Sequence, residues 1–246
     1  MTVPRSGRGR TRLILALDTT DPAEAERWCS ATGAAADAIK LGLEFTLARG
    51  PEAVSRVAAG RSLFLDLKLH DIPNTVSAAI RGLAPLRPAM LTVHAAGGRA
   101  MIAAARESCE AAFPPDARPL LLAVSVLTSL DAEALHETGV AGGPRQQVLR
   151  LGRMAVAAGA DGLVCSPHEV ASLRDALGDA PCLVVPGIRP AGADPGDQKR
   201  AATPAEAARA GADWIVVGRP ITRAADPGAA ARAVAGELAD GGDAAP

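Results

Sequence analysis

The chain has 246 residues, of which 48% are apolar and 22% charged, with a formal net charge of −1. That length suits one α/β barrel or two small domains, and the composition is that of a soluble globular protein. The charge balance excludes a global field for nucleic acid or a membrane surface, and no apolar run is long enough to span a bilayer.

The first twelve residues, MTVPRSGRGRTR, carry basic side chains without an apolar signal core, and are expected to form a disordered tail over 1–12. Short apolar runs then alternate with Ala-rich helical segments. The runs are LILALD (13–18), AIKLGL (38–43), SLFLDLK (62–68), MLTVHA (90–95), PLLLAVSVL (119–127), GLVCS (162–166), CLVVPGI (182–188) and WIVVGR (214–219). Between them the pattern predicts helices over about 22–36, 51–59, 74–85, 98–112, 145–158, 167–177, 204–210 and 227–239. Several open on Pro after a cap residue, as at Asp21-Pro22, Ser166-Pro167 and Thr203-Pro204.

Repeated strand–helix units imply a parallel sheet with right-handed crossovers, and strands apolar on both faces imply helices covering the outside. Eight units point to a single (β/α)8 TIM barrel over 13–239, with a flexible C-terminus over 240–246. A doubly wound open sheet is the alternative. It rarely needs eight units, and it usually places a Gly-rich turn after its first strand, where this chain has Asp18.

Side chains at the C-terminal ends of barrel strands line the active site. Asp18 ends the first run, Lys40 lies within the second, and Asp66 and Lys68 end the third on one face. Thr128 follows the fifth, Arg189 the seventh, and Gly218 and Arg219 close the eighth. Each alone reads as a solvated loop residue; their convergence on one mouth is the signal. The chain has 26 basic residues but only three lysines, Lys40, Lys68 and Lys199. Two of these interrupt apolar runs. An amine can give up a proton where a guanidinium cannot, so these positions point to chemistry.

Asp66-x-Lys68-x-x-Asp71 is the strongest local pattern. It reads either as an ion-pair cluster that locks a loop or as a fixed ammonium facing a developing negative charge. Arg189, Gln198 and Arg219, with the backbone near Gly187 and Gly218, read as a phosphate site on the last loops. The longest irregular stretch, 189–203, is a functional loop in this reading. His70 and His94 read as loop-fixing and packed residues, His136 and His168 as surface or capping residues. Cys29, Cys109, Cys165 and Cys182 form no CxxC pair and read as buried thiols of a reducing cytoplasm. No Walker loop, nucleophile elbow or metal-ligand spacing is present in the sequence.

The motifs LALD, IKLG, FLDLKLHDIPNTV, VLTS, VPGIRP, GDQKR and VVGRPIT, in that order, resemble the bacterial type of orotidine 5′-phosphate decarboxylase over the whole barrel. The resemblance implies conversion of orotidine 5′-phosphate to uridine 5′-phosphate and carbon dioxide, the last step of de novo UMP synthesis, without cofactor or metal. It implies a cytoplasmic homodimer whose two sites are each completed by the other subunit. Lys68 would be the proton donor to C6, and Asp66 would sit beside the departing carboxylate. Lys40 and Asp71 would complete the charged chain, Asp71 reaching in from the neighbour. Asp18 and Lys40 would hold ribose hydroxyls, Thr75 would add a contact from the neighbour, and Thr128 would meet the base. Arg189, Gln198, Gly218 and Arg219 would hold the phosphate. Two rivals share the barrel. A magnesium-dependent sugar-phosphate decarboxylase or aldolase would need an acidic ligand set, with Glu44 as its candidate. A non-catalytic nucleotide-phosphate sensor has no reason to keep Lys68 between two acids.

Overall fold

A computed structural model of the protein describes residues 10–190 and 202–242. Eight parallel strands close into a barrel in sequence order, with the last paired to the first. They are β1 (Arg12–Ala16), β2 (Ala38–Gly42), β3 (Leu63–Leu69), β4 (Met90–His94), β5 (Leu120–Val124), β6 (Gly162–Val164), β7 (Cys182–Val185) and β8 (Trp214–Val217). Each lies largely within one of the eight apolar runs, so the expected barrel is the observed one.

Ten helices are described: α1 (Pro22–Thr32), α2 (Leu43–Val57), α3 (Pro73–Leu83), α4 (Gly98–Ala112), α5 (Ala132–Glu137), α6 (Pro144–Ala157), α7 (Val170–Leu177), α8 (Pro204–Ala210), α9 (Arg219–Thr222) and α10 (Pro227–Gly242). Three differ from the sequence expectation. Helix α2 starts at Leu43, not near Pro51, because the Gly-Pro pair kinks it without ending it: Gly50 takes φ 74 and Pro51 opens the second segment. Helices α5 and α9 are too short to show a 3.6-residue period. The first is set by its cap, the Asp131 carboxylate accepting from the Ala134 N–H at 3.1 Å.

The period of two along each strand builds two cores. Ile14, Ala38, Phe64, Met90, Leu120, Cys182 and Trp214 point inward and fill the barrel below its mouth. Their neighbours Leu13, Ile39, Leu63, Leu91, Leu121, Leu183 and Ile215 point outward against the helices. Each fully buried Leu or Ile contributes about 1.5–3 kcal/mol, so the outer shell carries much of the stability. All four cysteines are free and buried. Burial pushes the Cys109 thiol up to about 12, leaving it protonated.

At the N-terminal end of the barrel one device recurs three times. Asp37, Asp161 and Asp213 each stand one residue before an even-numbered strand and accept a backbone N–H from the preceding strand. The donors are Leu13 at 3.0 Å, Leu121 at 2.9 Å and Leu183 at 2.7 Å. Each aspartate also pairs with an arginine: Arg10 for Asp37, Arg118 at 2.9 Å for Asp161, and Arg174 at 2.6 Å for Asp213. Arg10 belongs to the segment expected to be a loose tail. Thr11 is buried there and donates to the Ala212 carbonyl at 2.7 Å, and the Arg12 guanidinium lies 5.3 Å from the Trp214 ring centroid. Residues 10–12 are therefore part of the barrel floor, a correction to the expected tail boundary at 12. Their partners lie far along the chain, where a local reading cannot find them. At the other end α10 continues to Gly242, past the expected boundary at 239.

Burial pushes the Asp161 carboxyl up, but hydrogen bonds from Arg118 and Leu121 and the charges of Arg118 and Arg106 outweigh it and hold it below the usual carboxylate range. Asp161→Ala removes the carboxylate that pairs with both Arg118 and Arg106 and caps the Leu121 N–H, and is expected to cost about 3 kcal/mol. Because the folded pKa is depressed, Asp161's contribution is full above the unfolded value of about 4 and fades as pH falls through the folded value. Urea midpoints of wild type and variant should differ at neutral pH and converge in acid. Equal midpoints at neutral pH would show that the clamp is decorative.

Candidate active site at the barrel mouth

The charged residues at the strand ends meet because β3 is irregular. Its pairing with β4 runs Leu65 to Leu91 and then Leu69 to Val93, so four residues of β3 are spanned by two of β4. The extra length is taken up by Lys68, which has φ 50, a left-handed conformation that costs a non-glycine residue about 1–3 kcal/mol. Freed from the ladder, the Lys68 N–H donates to Thr92 Oγ1 at 2.8 Å. The Thr92 hydroxyl in turn donates to Asp66 Oδ1 at 2.9 Å.

The other Asp66 oxygen holds the two amines. Lys68 Nζ donates to Oδ2 at 2.8 Å, and Lys40 Nζ lies 3.7 Å from the same atom. Lys40 Nζ also reaches Asp18 Oδ1 at 3.3 Å. The result is a continuous row, Asp18–Lys40–Asp66–Lys68, across the ends of β1, β2 and β3. Asp66 is its most enclosed member, 8% exposed. Burial pushes its carboxyl up, but the Lys40 and Lys68 charges and the hydrogen bonds from Lys68 and Thr92 outweigh that and hold it below the usual range. Asp66 stays anionic at neutral pH and fixes the ammonium of Lys68.

The row forms one side of a cavity of about 220 Å³. Thr128, Arg189, Gly218 and Arg219 line its other sides, with Val124, Val126 and Val164 as an apolar wall and Phe64 also contributing. Gly218 is confined: a Cβ there would stand 3.2 Å from Asp18 Oδ2 and 3.3 Å from Ala16 Cβ. Arg189 is anchored through its backbone N–H to the Ala202 carbonyl at 2.9 Å, which ties the end of the seventh strand to the far side of the 189–203 loop. Gln198 lies outside the described residues.

Asp71 and Thr75 are exposed and do not line the cavity of their own chain. Asp71 accepts the Ile72 N–H at 2.7 Å just before α3, and Thr75 stands in the first turn of that helix. His94 ends β4 with its ring centroid 5.4 Å from that of His70. Burial, then His70 and Lys68, push the His94 pKa down, so it remains neutral beside the ammonium. Glu44 is exposed in the first turn of α2.

Sequence reasoning overlooked Thr92. It is fully buried, and it ties the Asp66 carboxylate to the Lys68 backbone. The available signal was a hydroxyl inside the apolar run MLTV, and a buried hydroxyl needs partners.

A closed parallel barrel with an acid–amine row and two arginines converging on one C-terminal mouth defines a (β/α)8 enzyme that acts on an anionic substrate. Comparison with known proteins narrows this. The family described as "Orotidine 5'-phosphate decarboxylase / HUMPS family" matches residues 11–234. The orotidine 5′-phosphate decarboxylase of Gluconobacter oxydans is 64% identical over 94% of this chain and 98% of its own length. That of an Anaeromyxobacter species (strain K) is 57% identical over 92% and 98%. The crystal structure of orotidine 5′-phosphate decarboxylase from Lactobacillus acidophilus superposes with a TM-score of 0.82 at 39% identity, covering 94% of this chain and 99% of that one. The chain belongs to the orotidine 5′-phosphate decarboxylase/HUMPS family.

Proposed function

We propose that the protein converts orotidine 5′-phosphate to uridine 5′-phosphate and carbon dioxide, with Lys68 as the proton donor. The observation that carries the reading is the Lys68 ammonium, held 2.8 Å from Asp66 in the same cavity that Arg189 and Arg219 line. The family description joins two names, and the relatives from Gluconobacter oxydans and Anaeromyxobacter carry the first.

In this mechanism the bond between C6 and the carboxylate breaks and its electron pair stays on C6. That pair lies in an sp² orbital in the plane of the ring, where the ring carbonyls delocalise it poorly. A fixed ammonium is then the stabiliser at hand, and its field needs no reorganisation during the reaction. Lys68 Nζ passes a proton to C6, and the neutral amine is reprotonated from solvent. Asp66 stands beside the leaving carboxylate, and the repulsion between them is relieved as neutral carbon dioxide departs. Lys40 and Asp18 hold the ribose hydroxyls, and Thr128 meets the base. Arg189, Gln198 and Arg219 grip the phosphate with the backbone at Gly218. Binding energy from that distant group is available to hold C6 against Lys68 and to expel water from the cavity.

The active form in this reading is a homodimer, in which Asp71 and Thr75 complete the neighbour's site. Their exposure supports it, as does the exposure of Leu43, Leu47 and Ile72, at 47%, 79% and 66%, on segments that follow β2 and β3 at the same end of the barrel. A cytoplasmic location is supported by the four free, buried thiols.

Ultraviolet monitoring of orotidine 5′-phosphate with purified protein tests the reading. The expected result is conversion to uridine 5′-phosphate at a rate unchanged by a chelator. No conversion would refute it, and a strict requirement for magnesium would favour the metal-dependent rival.

A further inference from the structure

The geometry points to Thr92 as a positioning residue for the reaction: its single hydroxyl sets where the Lys68 ammonium stands. The inference rests on the proposed role of Lys68. Thr92 lines no part of the cavity and touches no substrate, so any effect on turnover passes through Asp66 and Lys68.

On a regular strand, side chains two residues apart project on the same face with their Cα atoms about 6.5 Å apart. Asp66 and Lys68 meet more intimately because Lys68 has left the extended conformation, with φ 50. Such a residue persists only where its surroundings over-determine it. Thr92 supplies that constraint from both sides. It accepts the Lys68 N–H at 2.8 Å, the donor that a bulge would otherwise leave unpaired. It donates to Asp66 Oδ1 at 2.9 Å, which leaves Oδ2 facing the two amines. One atom thereby couples the backbone of the proton donor to the carboxylate that orients it. Thr92 is 0% exposed, so water does not replace the hydroxyl in place.

Two substitutions separate shape from hydroxyl. Thr92→Val keeps the branched shape and removes both hydrogen bonds; Thr92→Ser keeps the hydroxyl and removes a methyl group. With wild-type conversion of orotidine 5′-phosphate established first in the same assay, Thr92→Val is expected to lower kcat about 10–100-fold with KM within about threefold, the scale of a donor displaced by about 1 Å. It should also move the acid limb of the kcat profile to higher pH, because Asp66 loses a hydrogen bond to its charged form. Thr92→Ser should restore kcat and the acid limb nearly to wild type. The inference is overturned if Thr92→Val turns over at the wild-type rate with an unmoved acid limb, or if Thr92→Ser is as slow as Thr92→Val. Should Thr92→Val fail to fold, Thr92→Ala is read against Thr92→Ser with the same two outcomes. Inactive wild type would refute the proposed function itself, whereas active wild type with an unaffected Thr92→Val refutes only the positioning role.

Discussion

Lys68→Ala is expected to lower kcat by about 10⁴-fold or more while uridine 5′-phosphate still binds within about tenfold of wild type. A positioned proton donor contributes about 10²–10⁴-fold, and removing one preorganised stabiliser of developing charge costs about 10²–10³-fold. Lys68 fills both roles in this account, so the losses compound. Binding is expected to survive because the proposed phosphate and ribose contacts are other residues lining the same cavity, Arg189, Arg219, Asp18 and Lys40. Asp66 keeps Lys40 and Thr92 as partners in the variant, so the carboxylate is not stranded. Lys68→Arg sharpens the result: it keeps the charge but holds its proton at any working pH. Near-normal turnover by either variant, measured by product formation, would remove the proton-donor role.

The proposed sharing of the site between subunits makes an equally large prediction. Asp71→Ala and Lys68→Ala are each expected to be inactive as purified dimers. Mixed in equal amounts and allowed to exchange subunits, half of the dimers pair one variant with the other. In each such hybrid one of the two sites draws an intact Lys68 from one subunit and an intact Asp71 from its partner. About a quarter of all sites should therefore be complete, and activity should recover to about that fraction of wild type. Recovery that depends on time and concentration, as exchange does, would support the arrangement. No recovery in a sample whose exchange is demonstrated by mass spectrometry of differently tagged subunits would exclude it.

The barrel was legible in the sequence because a strand covered on both faces must be apolar throughout, and eight such runs alternate with helices. The charged row was legible for the same reason. Asp18, Lys40, Asp66 and Lys68 stand out at the ends of runs that are otherwise apolar, and the structure brings them into one chain of contacts. What stayed hidden depends on pairs distant in sequence. The break in β3 pairing and the left-handed Lys68 follow from Thr92, twenty-four residues away. The floor clamps join Asp161 to Arg118 across forty-three residues. Arg10 to Arg12 read as solvated charges until Asp37 and Trp214 are seen beside them. Helices α5 and α9, six and four residues long, are shorter than the period that would reveal them. Asp71 and Thr75 remain at the surface of a single chain, so their place in a site belongs to the dimer proposal.

A crystal structure with a uridine 5′-phosphate analogue that carries an anionic oxygen at C6 tests the central claim most directly. That oxygen mimics the charge left by carbon dioxide. The account predicts it within about 3 Å of Lys68 Nζ, with the phosphate between Arg189 and Arg219. An analogue bound with C6 turned away from Lys68, or with its phosphate held by other residues, would contradict it.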